Sequence, residues 1–97
     1  MRIEVQKFGT LLVSRPAGRE AYLVAKSSLL RDVSADTELE IDFAGVQVLT
    51  PGWTDEFLTL IRKEFPCLRL VNTENSSVKA TIEFLEETYH KKFKRVD

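Results

Sequence analysis

The sequence predicts an α/β (α+β) fold: a four-stranded mixed sheet with three helices on one face, in the order β-β-α-β-α-β-α. Two observations carry this expectation. Leu39, Ile41 and Phe43 alternate with Glu38, Glu40 and Asp42, the period of two expected of a strand with one buried and one wet face. Beyond Gly45 and the Thr50-Pro51-Gly52 turn, Trp53, Phe57, Leu60 and Ile61 recur at helical spacing, so a tight loop joins that strand to a helix. A chain of 97 residues suits one domain, residues 1–97, with a single core.

Taken in order, Arg2 to Phe8 reads as a first strand, and Gly9-Thr10 allows a reversal into Leu11-Leu12-Val13, which predicts a short hairpin. Ser14 caps the first helix, Pro16 sits near its first position, and Ala17, Ala21, Val24, Ala25 and Leu29 supply its apolar stripe. The charged strand and central helix follow. Thr50 is placed to cap that helix, and Pro51 occupies the first turn, where a missing N–H costs nothing. Phe65-Pro66 ends the helix. Leu68 to Val71 is a short strand, with Arg69 facing Glu38, Glu40 and Asp42 across the sheet. Ser76 or Ser77 caps a last helix with Val78, Ile82, Leu85 and Tyr89 inward, and the basic tail from His90 to Asp97 complements its dipole.

Composition excludes several function classes. With 14 basic and 15 acidic side chains the totals show no nucleic-acid footprint. The single Cys67 cannot form an internal disulfide and reads as a small core residue, and the start of the chain is strand-like, with no apolar signal segment, so a cytoplasmic location is expected. No apolar run approaches the ~18 residues of a membrane span. There is no glycine-rich phosphate loop, no nucleophile elbow and no metal spacing around His90, the only histidine, so neither an enzyme nor a cofactor is expected.

Candidate binding residues cluster where strands end, because ligands and partners of open parallel sheets usually meet the loops beyond the carboxyl ends. These ends carry Ser14, Arg15, Thr50, Gly52 and Asn72. Ser14, Thr50 and Asn72 are equally what caps and turns require. Arg15 and Arg19, four apart near a helix start, form either an anion site or a solvated face. Asp55 and Glu56 suit the positive end of the helix dipole without any catalytic role. Trp53 is either core or an exposed interface anchor.

The run Asp42-Phe43-Ala44-Gly45-Val46, then Leu49-Thr50-Pro51-Gly52-Trp53 and Asp55-Glu56-Phe57, with Ser14-Arg15 upstream, resembles the STAS-like domains of bacteria and their mobile elements, related to the STAS domains of anti-sigma-factor antagonists. The resemblance covers most of the chain in the same order. It implies a small cytoplasmic regulatory module without catalysis, acting by protein–protein contact, often with a histidine-kinase-like ATPase as partner. Laid over this sequence, the phosphorylatable serine of the antagonists falls on Pro51, its hydroxyl neighbour on Gly52 and the preceding aspartate on Thr50. The familiar switch is therefore absent as written.

Three function classes compete. The first is an interaction domain whose contact surface is the loop and helix start after the central strand, with Ser14 and Arg15 adjoining and Trp53 as anchor. The second is a small-ligand or nucleotide-sensing domain using Arg15, Thr50 and Asn72. The third, nucleic-acid binding through Lys91 to Arg95, has no support from net charge. An open sheet edge, with Phe93 and Val96 in the tail, leaves room for a homodimer.

Overall fold

The computed structural model describes residues 1–96; Asp97, the last residue of the basic tail, lies outside the described residues. Strand β1 is Arg2–Glu4, β2 Leu11–Leu12, β3 Leu39–Asp42, β4 Val48–Leu49, β5 Leu68–Val71 and β6 Lys94–Val96. Helix α1 spans 15–29, α2 spans 51–64 and α3 is Ser76–Tyr89; α1 and α2 each widen into a π-helical turn, at Ala25–Leu29 and Asp55–Thr59. Among the described residues, no helix is long and apolar enough to cross a membrane.

The main sheet is ordered β1-β3-β5-β6, and every neighbouring pair in it is parallel. The expected mixed sheet is thereby corrected. Its antiparallel member was to be the hairpin, but after β1 the chain coils into a 3₁₀ turn at Val5–Phe8, and Gly9, with φ of 131°, sends it into a second layer. There β2 runs parallel to β4, with Leu11 opposite Val48 and Leu12 opposite Leu49. The fourth strand of the main sheet is instead Lys94–Val96, in the tail.

Sheet order equals chain order, and same-handed crossovers that always step in one direction leave their helices on one side. That face of the sheet carries Ile3, Leu39, Ile41, Leu68 and Leu70, all buried in one core with Trp53, Phe57, Leu58 and Ile61 of α2 and Val78, Ile82 and Leu85 of α3. The opposite face is polar. Arg2 bonds Glu40 through Nε and Nη2, at 3.1 and 3.0 Å, and Arg69 Nη2 lies 3.4 Å from Glu40. Parallel sheets are usually covered on both faces. Strands of three or four residues, laced by these ion pairs, leave little apolar surface to cover.

Helix α1 buries Gly18, Ala21 and Ala25, while Ala17, Val24 and Leu29 of the expected stripe are exposed. Small residues let α1 lie close to α2, so close that a Cβ on Gly18 would stand 2.2 Å from the Trp53 carbonyl oxygen. Three further expectations are corrected. Asn75, not Ser76 or Ser77, caps α3, accepting from the amides of Ser77 and Val78 at 2.8 and 3.1 Å. Cys67 is exposed because it lies in the bend before β5. Tyr89, at the end of α3, is also exposed rather than part of the inner face.

Candidate functional site

Two clusters form at the carboxyl ends of the strands. In the first, the Asp42 side chain closes the turn after β3: Oδ1 accepts from the Ala44 amide at 2.9 Å and from Asn72 Nδ2 at 2.8 Å, and Oδ2 from Arg2 at 3.3 Å. Asn72 holds a left-handed backbone, φ 58°, which asparagine tolerates better than most residues. Asp42 is therefore buried, against the expectation of a wet residue. Burial pushes its carboxyl up, but the Asn72 and Ala44 hydrogen bonds and the Arg2 charge outweigh that and hold it below the usual carboxylate range. Asn72 thus props a turn. A cavity of about 450 Å³ lined by Gly45, Val46, Asn72 and Glu74 lies beside it, with no basic side chain among the described residues of its wall.

The second cluster lies where α1 and α2 begin. Ser14 caps α1 as expected, accepting from the Ala17 amide at 3.2 Å. Arg15 follows, and its Nη1 donates to Asp55 Oδ2 at 3.0 Å and to Glu56 Oε2 at 3.2 Å. Tyr89 of α3 donates to the other Asp55 oxygen at 2.5 Å. The Asp55 carboxyl is raised by burial but lowered further by Tyr89 and Arg15, and ends below its ordinary range. One arginine, two acids and a tyrosine therefore join three helices. Arg15 is thus engaged by two carboxylates, while the lining of the Asn72 cavity carries no basic side chain among the described residues.

One sequence expectation in this cluster is corrected, and one pair of alternatives is decided. Thr50 does not cap α2: its hydroxyl donates to the Leu12 carbonyl at 3.1 Å, beside the Thr50 amide on the same oxygen, because it continues the β2–β4 ladder. Trp53 is not an exposed anchor. It is only 1% exposed and stacks on Phe57 at 4.9 Å between ring centroids, with Phe8 at 6.5 Å. Gly52 is half-buried beside Arg15, whose Cγ a Cβ would meet at 3.1 Å. Ser14, Arg15, Thr50, Gly52 and Asp55 thus share one corner, whereas Asn72 engages Asp42.

The chain matches no family model, and no curated protein or solved structure is significantly similar to it. What marks the corner is an apolar surface that residue patterns alone did not single out. Leu11 and Val48, paired in register, are 61% and 38% exposed, and Val13, just past β2, is 59% exposed. Leu12 and Leu49 between them are buried. In a continuous run such as Leu11-Leu12-Val13 the outward and inward residues look alike, so the signal was present but could not be assigned to a face.

The outer side of β4 is closed. Ser77 Oγ accepts from the Leu49 amide at 2.9 Å and donates to the Leu49 carbonyl at 3.0 Å, and Thr81 donates to the same carbonyl at 2.8 Å. Side chains of α3 thus occupy the groups that another strand would need.

Proposed function

We propose that this chain is a non-catalytic regulatory domain of the STAS-like kind, working in the cytoplasm through contact with a protein partner. The contact surface is the corner formed by β2, β4 and the starts of α1 and α2: Leu11, Val13 and Val48 at its apolar centre, Arg15 and Asp55 at its polar rim. The observation that carries this reading is the outward pairing of Leu11 with Val48. An apolar patch beside polar groups is the usual composition of a recognition surface. The resemblance in sequence adds a histidine-kinase-like ATPase as the partner type.

Affinity capture with Val48→Lys beside wild type tests the reading. Trp53 is unsuitable as a probe, since truncating so buried an aromatic costs about 3–5 kcal/mol of fold stability. A partner retained by wild type and by Phe84→Ser, a change at a residue 53% exposed on α3, but lost by Val48→Lys is the expected result. Equal retention by all three, with each variant folded, overturns the assignment.

A further inference from the structure

At the opposite end of the sheet, where β5 and β6 begin, lies a cavity of about 310 Å³ walled by Arg62, Arg69, Lys91, Lys92 and Lys94; Glu38 is the one acidic side chain among the described residues that line it. Its volume is at the lower end of the range of small-molecule sites. The positive charge there is poorly compensated. Arg62 lies over the Phe93 ring, 3.8 Å from the centroid, and its buried Nη1 makes no hydrogen bond among the described residues. Burial pushes the Arg62 guanidinium down, and the acid whose field opposes this is Glu86, whose two oxygens are already taken by the Phe93 amide at 2.8 Å and Arg95 at 2.7 Å. Arg69 shares its Nη2 with Glu40 and Glu38, at 3.4 and 3.8 Å, yet its buried Nε also has no hydrogen bond among the described residues. Lys91, Lys92 and Lys94 are exposed and take part in no ion pair among the described residues.

We infer that this cavity binds a small phosphate-bearing molecule. Five cations against one acid in the lining favour a ligand with more than one negative charge, and tetrahedral phosphate oxygens can meet donors arriving from separate directions, which a carboxylate with one charge cannot match. Pro66, Leu68 and Phe93 are the apolar residues of the lining, beside which an organic portion would lie. The inference does not depend on the corner at the other end of the strands.

Inorganic pyrophosphate is the probe, titrated into the full isotope-labelled chain at constant ionic strength, about 0.15 M, to hold screening fixed. Saturable amide shifts centred on Leu68 and Lys91 to Lys94 are expected, with a rise in the thermal midpoint. Affinity should fall about tenfold or more in Lys92→Gln/Lys94→Gln, and likewise in Arg62→Gln. Because the two lysines are exposed, the double variant remains informative even where the arginine change impairs folding. Shifts that never saturate, shifts centred on Asp42 to Gly45, or undiminished binding by the double variant overturn the inference. Binding of a short single-stranded RNA more tightly than pyrophosphate overturns it as well, by making the cavity part of a polymer track.

Discussion

Gly18→Ala tests the packing that brings the candidate corner together. An added methyl meets the Trp53 backbone, 2.2 Å from the carbonyl oxygen and 2.9 Å from both its carbonyl carbon and Cα. No rotamer change relieves a collision with main chain, so α1 and α2 must part by roughly 1 Å to restore an ordinary contact near 3.4 Å. Overpacking of this kind costs about 1–3 kcal/mol. Alanine recovers about 0.5–1 kcal/mol over glycine in a helix. The net expectation is a loss of about 1–2 kcal/mol, or a fall in Tm of about 4–16 °C for a domain of this size. Urea and thermal unfolding followed by the fluorescence of Trp53, the one tryptophan, report from the contact itself. Gly52→Ala is the control: its Cβ meets the flexible Arg15 Cγ at 3.1 Å, so a change within about 0.5 kcal/mol is expected. A Gly18→Ala protein as stable as wild type would refute the close approach of the two helices.

Two further outcomes follow from the electrostatics. Asp42 is held below its ordinary carboxylate range in the folded protein, so its contribution is fully present above the unfolded pKa of about 3.9 and is lost as pH falls through the folded value. In Asp42→Asn, denaturant titrations from neutral to strongly acidic pH should show a shallower loss of stability than wild type; an unchanged slope counts against the charged hydrogen-bond cluster. Glu86→Ala removes the acceptor of the Phe93 amide and the partner of Arg95, and should destabilise the fold by about 1–3 kcal/mol. Hydrogen exchange should show the Phe93 amide losing protection first, and protection equal to wild type would mean that Glu86 does not dock the tail.

The parts of this fold legible in the sequence are those with a strong period or a local signature. Leu39, Ile41 and Phe43 are buried as their alternation requires, and Ser14 caps α1 because its geometry depends only on the next three residues. Trp53 and Phe57 also lie inside, as helical spacing implied. What could not be read is what depends on distant chain. A strand of two residues has no period, so the pairing of Leu11 with Val48 was hidden, and a hairpin was the nearest local alternative. The tail strand was masked by its charges: Lys94 lies at a sheet edge, and Arg95 is neutralised by Glu86, nine residues earlier on α3. Among the candidate residues, Arg15 and Asp55 were each visible as charges at a helix start, but their pairing needs α1 to approach α2 through Gly18.

The agreement between strand position and chain position has a consequence for a nascent polypeptide. As residues leave the ribosome, the partner of each new strand of the main sheet is already synthesised and has a free side to which the strand can add. At no point must two mated strands separate to admit a latecomer, and Lys94–Val96 takes its place at the edge beside β5.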